Sequence, residues 1–240
     1  MFMKNINSIS LMFPLFKDSR TVKKMIYNSL KTLKKTKKYF EIVIVDDGCP
    51  EKSGYIAKKI LKNTRNARVI FHKKNLGYGA ALKTGLKNCK NEWIFQTDGD
   101  AEYDVNDLHN LIKASKNYDL VITYREKKKY KTSRIFVSWI YNILLRFLFN
   151  TKFKDISTGS RFLKKKILNK LKLNSNSPFI GAELAILSQL KGYKVNEIPI
   201  ETYPRTFGSG SSVGIRNIIL TIYDMFLFFL KVKLQKTNEK

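Results

Sequence analysis

The run EIVIVDD, residues 41–47, is apolar and β-branched from Ile42 to Val45 and ends in two acids. A short continuous apolar run suits a strand buried on both faces, as strands of parallel sheets are. Upstream of it, residues 19–36 carry Val22, Ile26, Leu30 and Leu33 at helical spacing, and SISLMFPL (8–15) reads as a first strand. Downstream, a helix near 51–62 precedes the strand ARVIFH (67–72), and a helix over 78–89 precedes the strand EWIFQTD (92–98). A helix near 104–115 then leads to YDLVITY (118–124). Strands alternating with helices predict an α/β fold, a Rossmann-like, mostly parallel sheet with helices on both faces. Sheets of this kind bind ligands beyond the carboxyl ends of their strands. Two acid pairs fall there: Asp46 and Asp47 end the second strand, and Asp98 and Asp100 end the fourth.

Beyond residue 125 the pattern is less regular. The basic run REKKKYKTSR (125–134) precedes an apolar helix over 135–149. A polar loop DISTGSR (155–161), a helix near 181–191, a strand YKVNEIPI (193–200) and a Gly/Ser-rich stretch RTFGSGSSVG (205–214) lead to a last apolar helix. The expected organisation is one domain over 1–212, with an apolar interface helix at 134–150, followed by an amphipathic helix and basic tail at 213–240.

The 46 Lys and Arg against 19 Asp and Glu give a net charge of +27. Such an excess favours anionic partners: nucleic acid, an anionic membrane face or phosphorylated substrates. Much of it is also what solvated helix faces in a lysine-rich composition look like. Cys49 and Cys89 make no disulfide framework and no zinc spacing, which fits a reducing cytoplasm. The N-terminus reads as a first strand, not a signal peptide. No stretch reaches the roughly 18 apolar residues of a membrane span. The nearest, IFVSWIYNILLRFLF (135–149) and IILTIYDMFLFFL (218–230), are broken by Arg146 and Asp224.

QTDGDAEYD (96–104) gathers Asp98, Asp100, Glu102 and Asp104 in an otherwise basic chain. Carboxylate oxygens are the ligands of a hard divalent cation, Mg2+ or Mn2+, which also takes substrate phosphates. Such a cation would stabilise charge on a leaving diphosphate. Taken alone, the pair also fits a solvated turn, with Asp104 capping the next helix. NLGYGAALKTG (75–85) is a Gly-rich turn entering a helix but lacks the P-loop ending. Gly77 and Gly79 leave room for a ligand or for a neighbouring strand. His72 and His109 have no partner in sequence and read as a strand-end and a surface histidine.

FPLFKD (13–18), EIVIVDDG (41–48), NLGYGAALKTG, WIFQTDGDAEYD (93–104) and ISTGSRFLKK (156–165), in this order, resemble the family-2 inverting glycosyltransferases of GT-A fold. The nearest branch is the dolichyl/polyprenyl-phosphate sugar transferases, of dolichol-phosphate mannose synthase type, and the likeness covers roughly residues 8–205. The resemblance implies a nucleotide-sugar site at Pro14, Phe16, Asp18, Asp46, Asp47, Gly77, Gly79 and Asp98, with Arg205 in a loop closing over the diphosphate. Here Phe16 replaces a tyrosine of the family's segment, and Lys17-Asp18 replaces Asn-Glu. It implies Asp98, Asp100 and Glu102 as metal ligands, Glu102 standing where the branch often has glutamine. Arg134, Ser138 and Arg161 are implied to meet an acceptor phosphate. Asp100, Arg125, Asp155 and Glu183 are the implied catalytic set.

The expected reaction moves a hexose from a UDP- or GDP-sugar to a polyprenyl phosphate at the cytoplasmic face of the membrane. A phosphate acceptor is already anionic and needs positioning and charge neutralisation, for which arginine forks suit. An alternative is sugar addition to a glycan or lipid-linked saccharide, with Asp155 or Glu183 as the base. A nucleic-acid binder is disfavoured, because acids gather where a phosphate backbone would lie and no known motif appears. In the helix at 134–149, Arg134, Ser138, Asn142 and Arg146 form one polar stripe at spacing four; Asn217, Thr221, Asp224 and Lys231 do likewise in the last helix. The expected placement is peripheral, with stripes facing protein and apolar faces in an anionic membrane surface. The alternative packs these helices on each other or in a homo-oligomer.

Overall fold

The structure, a computed structural model, describes residues 6–126, 132–204 and 214–238, and of 132–134 and 235–238 the backbone alone. The first half alternates as the hydrophobic pattern predicts: β1 (Ser8–Leu15), α1 (Val22–Lys35), β2 (Tyr39–Asp46), α2 (Ser53–Ile60), β3 (Ala67–Phe71), α3 (Tyr78–Asn88) and β4 (Trp93–Gln96). Then come α4 (Leu108–Ala114), β5 (Leu120–Arg125), α5 (Thr132–Phe149), β6 (Arg161–Lys164), α6 (Ile180–Leu190), β7 (Val195–Ile200) and α7 (Ile215–Asn238). The seven strands form one sheet in the order β3-β2-β1-β4-β6-β5-β7.

Both faces of the sheet are buried, which is why its strands read as continuous apolar runs. Ile9, Leu11, Phe13 and Ile44 pack under α1, α2 and α4, while Met12, Val43 and Ile94 pack under α3 and α6. Register fixes the working edge. Leu15 pairs with Asp46 and Met12 with Gln96, so β1, β2 and β4 all end on one side.

Two features differ from expectation. The four-residue β6, not expected as a strand, runs antiparallel to β4 and β5 in the mostly parallel sheet. Four residues behind a polar loop carry too little periodicity to announce a strand. The helix expected near 104–115 divides into a 3-10 turn (Val105–Asp107) and α4. Asp104 caps that turn, its carboxylate accepting the Asn106 N–H at 2.9 Å.

No helix of the described residues is long and apolar enough to cross a membrane. Helices α5 and α7 meet through Phe149 and Phe228, ring centroids 5.2 Å apart. From their polar stripes, Asn142 is buried and donates to Asp155, and Asp224 accepts backbone N–H groups of the segment before α6, whereas Arg146 is exposed. Their outer faces stay apolar and exposed, with Phe147 at 84% and Ile215 at 79%.

Candidate active site

The D-G-D segment follows β4 at the working edge. Asp98 Oδ1 accepts the Tyr78 phenol at 2.8 Å. Gln96 Nε2 donates to that phenol oxygen at 3.3 Å and to Gly159 O at 2.8 Å. A Cβ at Gly159 would collide with the Asp98 carboxylate, so only glycine lets the 155–161 loop lie against it. Gly99 is held as closely: a Cβ there would stand 2.7 Å from Pro14 O and 3.3 Å from Asp18 Oδ2. The segment after β1 is thus brought to the D-G-D turn. Asp18 shapes that segment by accepting the Phe16 N–H at 2.9 Å.

Asp100 Oδ1 accepts the Glu102 N–H at 3.0 Å. Glu102, expected as a third metal ligand, lies in the interior beside Asp100. Ala101, at φ +62, turns the chain between the two acids, and Glu102 is 2% exposed. Among the described residues, no three acid, histidine or cysteine side chains converge as a metal-holding group. Asp98 and Asp100 remain as two hard-oxygen donors at the strand end.

Asp46 and Asp47 end β2 as expected, but their oxygens go to loop building. Asp46 accepts the N–H groups of Cys49 at 2.8 Å and Gly54 at 2.6 Å. Asp47 accepts Leu76 N–H at 3.0 Å and Gly77 N–H at 2.9 Å, and pairs with His72 Nδ1 at 2.6 Å. Buried carboxylates need donors, and backbone N–H groups of the flanking turns supply them. Gly77 and Gly79 are likewise covered by protein. A Cβ at Gly79 would stand 2.6 Å from Ser175 O, and one at Gly77 2.9 Å from Asn176 O. The close approach read from sequence is made by loop 174–177.

Arg125 closes β5 beside the far end of the 155–161 loop. Its Nε donates to Asp155 Oδ2 at 2.7 Å and its Nη2 to Asp155 Oδ1 at 3.0 Å. Nη2 also reaches Ser138 Oγ on α5 at 3.4 Å and the Ser157 hydroxyl. Asp155 is 2% exposed and accepts further bonds from Ser157 Oγ and Asn142 Nδ2. Glu183, 1% exposed, accepts the N–H groups of Asn174 and Ser175 at 2.9 Å each. Both candidate bases are therefore engaged. Arg161 is interior, at 2% exposure, donating to Ile156 O at 3.0 Å. The structure does not bring it to the surface beside Arg125. Of Arg134 the backbone alone is described, in α5; Arg205 and the basic run 127–131 lie outside the described residues.

Two residues escaped the sequence reading. Tyr78 lies between two motif glycines and holds Asp98. Burial, then the neighbouring Asp98 charge, pushes its phenol well above the ordinary range, so it stays a donor. His72 bridges Asp47 to Thr84 Oγ1, the latter at 2.9 Å. The acid pair ending β2 was the available signal, since buried acids require partners.

The mostly parallel seven-stranded sheet with helices on both faces is the GT-A type of the solved glycosyltransferases it superposes on. The chain belongs to glycosyl transferase family 2, whose family model matches residues 10–172. It is 23% identical over 223 residues to the undecaprenyl-phosphate 4-deoxy-4-formamido-L-arabinose transferase of Salmonella choleraesuis (strain SC-B67), covering 92% of this chain and 67% of that one. Among solved structures, glucosyl-3-phosphoglycerate synthase from Mycobacterium tuberculosis, in complex with Mn2+, UDP and phosphoglyceric acid, superposes with a TM-score of 0.71 at 16% identity, covering 91% and 78%. Mannosyl-3-phosphoglycerate synthase from Rubrobacter xylanophilus gives 0.70 at 12% identity, covering 98% and 76%.

Proposed function

We propose that this glycosyltransferase moves a hexose from a UDP- or GDP-sugar to a polyprenyl phosphate, working peripherally at the cytoplasmic face of a membrane. One observation carries the reading. The 155–161 loop lies against Asp98 at Gly159 and binds Arg125 at Asp155 and Ser157, and Arg125 reaches Ser138 on the apolar helix α5. A donor's diphosphate at the D-G-D turn and an acceptor's phosphate near Arg125 would thus be set by one short loop, at the foot of a helix suited to a lipid chain.

The residues fit a divalent cation. Asp98 and Asp100 offer hard oxygens, and the absence of a Cβ at Gly159 leaves the space the Asp98 carboxylate occupies. Mg2+ or Mn2+ held there would neutralise the diphosphate. Tyr78 and Gly159 fix the Asp98 carboxylate; Asp155 fixes the Arg125 guanidinium plane, so neither has to reorganise during reaction. An oxygen of the acceptor phosphate forms the new bond to the sugar's anomeric carbon. The bond to the diphosphate breaks and its electron pair leaves with the nucleotide. No proton has to be removed.

That last point favours a phosphate over a sugar hydroxyl as acceptor. A hydroxyl requires a base, and both candidates are committed, Asp155 to Arg125 and Glu183 to two backbone N–H groups. The undecaprenyl-phosphate relative supports the same acceptor class. Membrane contact is supported by the outer faces of α5 (Phe136, Trp139, Phe147) and α7 (Ile215, Ile219, Phe226), which are exposed and apolar. Interface helices bury such faces at the headgroup boundary.

The test is transfer of labelled sugar from UDP-glucose and GDP-mannose, among other donors, to undecaprenyl phosphate with Mn2+ or Mg2+, Asp100→Ala being the control. Metal-dependent label in the organic phase that vanishes in the variant is expected. Nucleotide-dependent thermal stabilisation by metal without lipid label would move the acceptor to a glycan.

A further inference from the structure

Helix α7 holds one acid along its length, Asp224. Its Oδ2 accepts the backbone N–H groups of Asn176 at 3.1 Å and Ser177 at 3.0 Å. The two preceding N–H groups, of Asn174 and Ser175, go to Glu183 on α6. Four consecutive backbone donors are therefore oriented by two carboxylates from two helices. The carbonyls of this loop meet α3 instead. Gly79 N–H donates to Asn176 O at 2.8 Å and Lys83 Nζ to Asn174 O at 2.9 Å. Between Gly77 and Gly79, both packed against the loop backbone, stands Tyr78, whose phenol holds Asp98. Direct contacts thus run from an acid in the C-terminal helix to the first carboxylate of the D-G-D turn. The loop and α7 lie beyond residue 172, where the family match ends.

We infer that Asp224 is a positioning residue for the donor site: by holding loop 174–177 against Gly77 and Gly79 it fixes Tyr78, and through Tyr78 the Asp98 carboxylate. The inference takes from the proposed function only what Asp98 binds; the coupling itself is geometric. What the two N–H groups need is an oxygen acceptor rather than a charge, because backbone donors left unpaired in a half-buried setting reorient toward water. Glu183 holds the neighbouring Asn174 and Ser175 N–H groups, one on each oxygen, so the two acids divide the loop between them. The helix whose outer face is apolar and exposed is therefore also the helix that sets the donor-side loop.

The experiment compares the full chain with Asp224→Asn and Asp224→Leu. Asparagine keeps an oxygen that can accept both N–H groups; leucine removes it while suiting an apolar helix. Hydrogen exchange is read at residues 76–80, outside the two N–H groups that Asp224 accepts, and binding of UDP with Mn2+ is read by calorimetry. In Asp224→Leu, exchange at 76–80 should rise about tenfold and the UDP–Mn2+ Kd about tenfold, the size expected for losing backbone hydrogen bonds. Donor KM should follow Kd, with kcat changed less than about threefold, and Asp224→Asn should stay within about threefold of wild type throughout. Faster exchange confined to 174–177, with 76–80 and Kd unchanged, would overturn the inference. So would an Asp224→Asn variant as impaired as Asp224→Leu. If Asp224→Leu does not fold, Gly79→Ala pushes on the same loop from the other side. It should loosen 174–177 and weaken UDP–Mn2+ binding together; an unchanged Kd with a loosened loop would refute the coupling. A wild-type chain that binds neither UDP nor GDP with Mn2+ would sink the donor reading, while exchange at 76–80 would still decide the role of Asp224.

Discussion

Replacing Asp155 with asparagine separates two roles that a bare activity assay confuses. The carboxylate accepts Arg125 Nε at 2.7 Å, Arg125 Nη2 at 3.0 Å, Asn142 Nδ2 at 3.2 Å and Ser157 Oγ at 2.6 Å, with 2% of the residue exposed. An amide leaves one oxygen acceptor and turns an NH2 toward donors, and the Arg125 charge stays buried without its counter-ion. Breaking one side of a buried pair costs about 3–5 kcal/mol, a large part of the roughly 5–15 kcal/mol that holds a domain folded. Urea unfolding of Asp155→Asn should therefore show a loss of that size with an unchanged m-value. Arg125→Met combined with Asp155→Leu should recover most of the stability, since the unpaired charge goes with its partner, yet should transfer no sugar. A loss below about 1 kcal/mol with activity abolished would refute the pairing argument and return Asp155 to the role of a base.

Tyr78→Phe keeps the ring and deletes the donor to Asp98; a hydrogen bond to a charged group is worth about 1.5–3 kcal/mol, so donor kcat/KM should fall about 10- to 100-fold, and a change under twofold would contradict it. Burial, then Asp104 and Glu201, pushes the half-buried Asp107 carboxyl up to about 6. Stability from this group is full below its ordinary value of 3.8 and is lost as pH rises through about 6. After discounting for solvent screening, Asp107→Asn should gain on the order of 1 kcal/mol at pH 7.5 relative to wild type. It should show no gain at pH 3.5; urea midpoints at the two pH values check the sign. Phe147→Glu with Ile219→Glu should lower partitioning onto phosphatidylglycerol-containing vesicles at least about tenfold without altering the melting temperature, given about 1.5–3 kcal/mol per apolar side chain buried. Equal sedimentation with vesicles would count against membrane contact.

The fold was legible because its strands are buried on both faces and read as unbroken β-branched runs between helical periods. The working edge was legible because strands of known direction end in acids. What the acids do was not, since a carboxylate's partners depend on loop paths far away in sequence. Asp47 meets Gly77 thirty positions on, and Asp155 meets Arg125 thirty positions back. His72 looked solitary because its partner Asp47 lies twenty-five positions away on the adjacent strand. The glycines of NLGYGAALKTG did signal close approach, but a one-dimensional pattern does not say whether ligand or backbone approaches. Strand β6 was hidden for a different reason: its pairing with β4 and β5 is stabilised by long-range contact, not local preference.

Stability distinguishes two roles among the acids of the described residues. Glu41, Asp47 and Asp155 accept donors from segments remote in sequence, and Asp46 and Glu183 accept the N–H groups of adjoining loops, so neutralising any of them loosens a loop. Asp98, which accepts the Tyr78 phenol, and Asp100, which accepts the Glu102 N–H, stand two positions apart at a strand end. A site kept for a ligand costs stability until the ligand arrives. Asp100→Asn retains the Oδ1 that accepts the Glu102 N–H and removes one of the two charges. In the ligand-free protein it should change stability by less than about 1 kcal/mol, while abolishing metal-dependent stabilisation by UDP or GDP. A loss above about 2 kcal/mol without ligand would place Asp100 with the architectural acids. The D-G-D turn would then need a different explanation from the one given by its chemistry.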